Sequence, residues 1–151
     1  IMTHKLDEKD WKIIEVLKEH GDYTSRQIAK KTLLPVTTIH HRIKKLKQEK
    51  IIRKFTIDLD PVKTEKSFVV YVLITANLET LKQKKKTQYD LAKDIRGFYF
   101  IERVDIVSGG TDLIAIIRVK DVQEFDKVLL EKLQSVDGVS GTQSLIVIHS
   151  K

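Results

Sequence analysis

The sequence predicts an α+β chain in two parts, a winged helix-turn-helix over residues 1–61 and a ferredoxin-like βαββαβ domain with an antiparallel sheet over residues 62–151. Three observations predict this. Apolar residues recur at helical spacing before Pro61 and in β-branched runs after it, positive charge gathers just upstream of that change, and a two-glycine turn sits between two apolar runs of the second half.

The first helix is signalled by Asp7 as N-cap, by Glu8 and Asp10 in its first turn and by Gly21 as its stop, with Leu6, Ile13, Ile14 and Leu17 facing inward. A second, shorter helix starts at Thr24 or Ser25 and turns Ile28 and Ala29 to the core. The run "KKTLLPVTT" is a turn, with Pro35 next to the start of a third helix of about Val36 to Glu49. In that helix Val36, Ile39, Ile43 and Leu46 form one narrow apolar face. The opposite face collects Thr37, Thr38, His41, Lys44, Lys45 and Gln48, flanked by His40 and Arg42, and contains no acid. The segment "IIRKFTIDLDP" then alternates Ile52, Phe55, Ile57 and Leu59 with polar residues, which predicts a β-ribbon.

After a polar hinge, Phe68–Ala76 reads as a strand and Glu79–Ile95 as one helix. Phe98–Val107 and Leu113–Lys120 read as two strands joined by the turn Ser108–Asp112, Val122–Leu133 as a helix and Val139–His149 as the closing strand. Helices cover one side of such a sheet. Leu113, Ile114, Ala115, Ile116 and Ile117 are apolar at consecutive positions and line both sides, so the second side needs a cover, and a copy of the same chain is the simplest. A homodimer joined through the second domain is expected.

Charge narrows the partner. Of a net +7, the segment from Lys30 to Lys54 carries +8, with nine Lys or Arg against the single acid Glu49, so the remainder of the chain sums to −1. A focused cationic segment on a helix-turn-helix points to double-stranded DNA, the bland alternative being a solvated lysine-rich face. In the DNA reading Thr37, Thr38 and His41 lie nearest the bases, Arg42, Lys44 and Lys45 hold phosphates together with Lys54 on the ribbon, and His40 and Gln48 complete the DNA-binding set.

Other functions find less support in the residues. The chain has no cysteine, which excludes disulfides, thiolate metal sites and thiol nucleophiles. It has no P-loop, Rossmann glycine fingerprint or GxSxG elbow, so neither catalysis nor a cofactor is expected. His40 and His41 are adjacent rather than four apart and make no metal pair. No run reaches the length of a membrane span and no secretory stretch is evident, which leaves the cytoplasm as the expected location. The turn Ser108–Asp112 is either a plain hairpin connection or a ligand loop. In the second case the N–H groups at Gly109 and Gly110 receive a carboxylate and Asp112 takes an ammonium group.

The stretches "LDEKDWKIIEVLKEHG", "TTIHHRIKKLKQEKIIRKFTIDLDP", "SGGTDLIAIIRV" and "VDGVSGTQSLIVI" together resemble the Lrp/AsnC family, the leucine-responsive or feast/famine transcription regulators of bacteria and archaea. The resemblance spans essentially the whole chain. It implies a DNA-binding domain joined by a ribbon to an effector-binding domain, with dimers that assemble into tetramers or octamers. It also implies an amino-acid effector lodged between dimers at Ser108, Gly109, Gly110, Thr111 and Asp112, with Thr142 and Ser144 as neighbours. The chain departs from the family pattern at Gly110, where an acid is usual, and at Leu33 and Lys50, where glycine is usual. It also carries an unusual lysine run between Lys82 and Lys86. The alternative function is an architectural DNA-binding or RNA-binding protein without site choice.

If the third helix reads DNA, Thr38→Ala or His41→Ala loses preference for a cognate site, whereas Lys45→Ala weakens binding to every duplex alike. Binding titrations on cognate and scrambled duplexes check this, and equal losses on both duplexes for all three variants contradict it.

Overall fold

The computed structural model describes residues 5–150, so residues 1–4 and 151 of the two expected domains lie outside the described part. The chain divides into two compact units, Ile1–Asp58 and Leu59–Lys151.

The first unit contains α1 (Glu8–Glu19), α2 (Ser25–Thr32) and α3 (Val36–Gln48). Local chemistry sets the first two starts. Asp7 and Asp10 exchange side-chain and backbone hydrogen bonds of 2.9 and 3.1 Å, and Thr24 and Gln27 do the same for α2. Each capping box satisfies two N–H groups that a helix end otherwise leaves without partners. Ile13, Ile28 and Ile39 are fully buried, and Val16, Leu17, Tyr23, Ala29, Leu34 and Ile43 pack around them. Burying each isoleucine contributes roughly 1.5–3 kcal/mol, a modest core for three helices.

Two turns in this unit hold non-glycine residues in the left-handed region: Leu33 at φ 58° closes α2, and Lys50 at φ 56° follows α3. After Lys50 the N–H groups of Ile51 and Ile52 both donate to the Leu46 carbonyl, which stops the helix sharply. The β-ribbon expected from Ile52 to Leu59 finds no pairing strand within the single chain: residues 53–60 pair with no strand, and Phe55, Ile57 and Leu59 stay exposed. A ribbon requires a second strand to receive its N–H and C=O groups, and the described chain supplies none at this point.

The second unit contains β1 (Phe68–Ala76), α4 (Leu78–Gln83), α5 (Gln88–Arg96), β2 (Ile101–Ile106), β3 (Leu113–Val119), α6 (Val122–Val128) with one π-helical turn at Leu129–Leu133, and β4 (Val139–Ile146). The strands form one antiparallel sheet in the order β2-β3-β1-β4. Alternation decides the faces. Val70, Val72 and Ile74 of β1 and Leu113, Ala115 and Ile117 of β3 are buried with Leu81, Leu91, Ile95, Phe125, Val128 and Leu133 of the helical layer. Ile114 and Ile116 are only half-buried on the open face, where Tyr71 and its cross-strand partner Leu145 are exposed.

The single helix expected over Glu79–Ile95 is two. Lys85 turns to φ 53° and the Lys86 N–H reaches back to the Leu81 carbonyl, which ends α4; Thr87 and Asp90 then form a capping box that starts α5. The lysine run is therefore a helix end and a turn rather than a helix face. Lys84 pairs with Asp137 and Lys86 with Asp94, each at 2.6 Å.

An L-residue in the left-handed region costs about 1–2 kcal/mol, and glycine gives back part of that gain through its freer unfolded chain. Leu33→Gly is expected to stabilise the first unit by about 0.5 kcal/mol, while Leu33→Ala, which keeps the strained φ, gives no gain. Denaturant titration distinguishes the two, and a loss of stability with glycine refutes the strain argument.

Candidate functional site

Helical geometry divides the surface of α3. At about 100° per residue, Thr37, Lys44, Gln48 and His41 fall within roughly 60° of one another. All four are exposed, and Ile39 and Leu46 lie fully buried on the far side. Lys45 is exposed on one shoulder of this stripe, where Thr38 is half-buried. His40 and Lys47 are exposed on the other shoulder. There Ser25 of α2 joins His40, Ile43, Lys44, Lys47 and Gln48 around an open cleft of about 380 Å³. Lys47 Nζ also stands 5.7 Å from the centre of the Phe55 ring. Lys54 is exposed in the segment that follows.

Arg42 does not join the stripe. One guanidinium nitrogen donates to both Asp7 carboxylate oxygens at 2.7 Å and to Asp10 Oδ1 at 3.0 Å. Asp10 is almost wholly buried and Arg42 largely so, which removes this arginine from the expected phosphate contacts. The Arg42 hydrogen bond and the Asp10 backbone N–H hold the Asp7 carboxyl at about 2, and the same contact pushes Arg42 upward. The N-cap signal at Asp7 was visible in the sequence, but its tie to Arg42, thirty-five positions away, left no local trace.

In the second unit, Leu73 and Thr75 of β1, Gly110 and Thr111 of the turn, and Thr142 and Gln143 of β4 border a cleft of about 550 Å³. Of the expected effector residues, Gly110, Thr111 and Thr142 border it, although Thr142 pairs with buried Ile74 and its side chain therefore belongs to the helix-covered face. Gly109, at φ 140°, and Ser108 shape the turn without bordering the cleft. Ser144 pairs with buried Val72 and so lies on the helix-covered face. Asp112, expected to take an ammonium group, accepts a 2.8 Å hydrogen bond from the Ala76 N–H at the irregularity in β1, and Thr111 donates to the Ile74 carbonyl. These two bonds fasten the turn to the end of β1. The Thr142 hydroxyl accepts from Gln134.

A helix-turn-helix with a cationic outer stripe, followed by a small βαββαβ domain with a cleft beside a glycine turn, defines a DNA-binding transcription regulator with a ligand-binding domain. Residues 6–53 match the profile for winged helix-turn-helix DNA-binding domains, and residues 69–151 match that for the Lrp/AsnC ligand binding domain. The chain belongs to the Lrp/AsnC family. It is 34% identical over 149 residues to the HTH-type transcriptional regulator FL11 of Pyrococcus horikoshii, covering 99% of this chain and 93% of that protein. An uncharacterised HTH-type transcriptional regulator of Pyrococcus furiosus is 33% identical over 145 residues, 96% of this chain and 94% of its own length. Among solved structures, a Neisseria meningitidis transcriptional regulator in complex with L-Met superposes with a TM-score of 0.85 at 24% identity, covering 96% of this chain and 91% of that one. The E. coli AsnC structure superposes with a TM-score of 0.82 at 22% identity, covering 97% and 95%.

The tie between Arg42 and the two aspartates makes Arg42→Ala a stability variant rather than a simple DNA-contact variant. Removing the cation breaks its charge-assisted hydrogen bonds to the buried Asp10 and to Asp7, at a cost of about 2 kcal/mol by denaturant titration. Asp7, whose carboxyl is depressed on folding, stabilises the wild type above its ordinary value of 3.8, and that contribution fades as pH falls towards 2. As pH falls from 3.8 to about 2, the wild type therefore loses stability more steeply than Arg42→Ala, and parallel acid profiles would contradict the assignment.

Proposed function

We propose that the chain acts as a sequence-specific regulator whose paired α3 helices enter successive major grooves of an inverted-repeat operator. The observation that carries this reading is the exposed, acid-free stripe of Thr37, His41, Lys44 and Gln48, all donor or cationic side chains on a helix anchored from behind. Thr38, His40, Lys45 and Lys54 flank it and contact the backbone or the edge of the site. Two such helices must stand about 34 Å apart, or a multiple of that, which calls for a twofold pair.

The pairing surface is the open face of the sheet. Tyr71, Leu73, Ile114, Ile116 and Leu145 present contiguous apolar surface there, and a second copy covers it symmetrically, with tetramers or octamers built from such dimers. The cleft beside Gly110 receives an amino acid, whose carboxylate meets the turn's N–H groups. Nothing with a Cβ at Gly110 would meet an obstacle within 4 Å, so the approach to that backbone is open. The site of action is the cytoplasm.

Selection of bound fragments from genomic DNA, followed by footprinting, tests the first claim. A short protected site with twofold symmetry is expected, and uniform coverage at all sequences favours an architectural role instead. Thermal-shift measurements with each of the common amino acids test the second, with a concentration-dependent rise for at least one; no rise with any of them removes the amino-acid effector.

A further inference from the structure

We propose that the cleft between α2 and α3 seats one sugar–phosphate unit of the DNA backbone, with Lys47 as its phosphate-holding cation. The reading rests on the DNA-binding function. Four observations carry it.

The first is position. Taking Thr37 as reference, the outer stripe spans roughly −20° to +40° around α3, Lys45 lies near +80°, and Lys47 and His40 lie near −80° and −60°. A helix whose stripe faces the floor of a major groove about 12 Å wide turns those two shoulders towards the two phosphate strands that wall it. Lys45 meets one wall and the cleft meets the other.

The second is the chemistry of the cleft. Half-buried Ile43 and the aliphatic stems of the lysines form its floor, while the exposed Lys44, Lys47 and His40 and the Ser25 hydroxyl border it. An apolar floor with a cationic, hydrogen-bonding rim suits a deoxyribose lying on carbon with its phosphate at the edge. The volume of about 380 Å³ leaves room for both parts.

Charge is the third. No carboxylate borders the cleft, and neither Lys44 nor Lys47 is ion-paired among the described residues, in contrast with Arg42. Their positive charges stand open to a polyanion. The fourth is preorganisation: the Phe55 ring beneath Lys47 Nζ, at 5.7 Å from its centre, steadies a side chain that otherwise samples many rotamers. Neither Lys47 nor Ser25 stood out in the sequence, because Lys47 lies on a shoulder of the helix and Ser25 on another element.

The test is a set of binding titrations with the full chain, on a duplex recovered by the fragment selection and on a scrambled duplex, across a range of salt. Lys47→Ala is expected to weaken both duplexes by a similar factor, roughly fivefold or more at low salt, and to reduce the salt slope by about one. Lys47→Arg restores the slope. Phe55→Leu, which removes the ring but keeps the ammonium group, leaves the slope unchanged and lowers affinity little. An unchanged slope for Lys47→Ala, a loss confined to the selected duplex, or a Phe55→Leu variant that reproduces the Lys47→Ala loss in full would each overturn the proposal. A wild-type chain that binds neither duplex would overturn the DNA-binding function together with it.

Discussion

Arg42 reaches from the middle of α3 to the first turn of α1, where one nitrogen bridges Asp7 and the buried Asp10. Without it, the buried Asp10 at the start of α1 would lose the guanidinium that binds it to α3. With it, the start of one helix and the centre of another are fixed to each other by charge-assisted bonds that tolerate little displacement. The apolar core beside this tie has three fully buried isoleucines, which pack well but specify orientation weakly because dispersion is non-directional. The ion pair supplies the direction. The pose of α3, the DNA-reading helix of the proposed function, therefore depends on an interaction on the side away from its exposed stripe.

The same tie sorts the charges of α3. The helix carries four cations, Arg42, Lys44, Lys45 and Lys47, and the one drawn inward is the one bound to acids. The lysines stay on exposed positions, and lysine suits that place, since a flexible ammonium group follows a phosphate without demanding planar, two-point geometry. Left-handed residues bound the arrangement at both ends: Leu33 sets the turn that leads into α3 and Lys50 stops the helix after it. A glycine at either place would relieve strain. The backbone path is thus dictated by the turn itself, and the residue type only tunes what it costs.

How much of this was legible in the sequence follows from the range of each interaction. Caps and hydrophobic spacing are local, so Asp7, Thr24 and the apolar face of α3 located the three helices to within a residue or two. The break between α4 and α5 was missed because Leu81, Leu91 and Ile95 continue to face the core across it, and periodicity cannot register a turn that preserves the buried face. The ribbon after α3 has no partner within the single chain. Alternation at Phe55, Ile57 and Leu59 reports a chain suited to a sheet, whereas a strand exists only where something pairs with it. Within the sites, the exposed stripe followed from helical rotation alone. The capture of Arg42, the bond from Ala76 to Asp112 and the gathering of Ser25 with Lys47 all link distant residues, and no single-sequence pattern encodes them.

The second unit adds a constraint on how regulation can work. Leu73 belongs at once to the open apolar face of β1 and to the border of the cleft beside the glycine turn. The turn is fastened to the end of the same strand through Thr111 and Asp112, so it cannot shift without disturbing β1. In the proposed function, a second copy and an amino acid therefore meet overlapping parts of one rigid edge. Binding at either place alters the surface offered to the other, and linkage makes that influence reciprocal: a ligand that favours one assembly is itself bound more tightly by it. A regulator built this way needs no path through the protein from ligand to DNA. A change in how copies associate would alter the spacing of their α3 helices, and only duplexes with matching half-sites would remain bound.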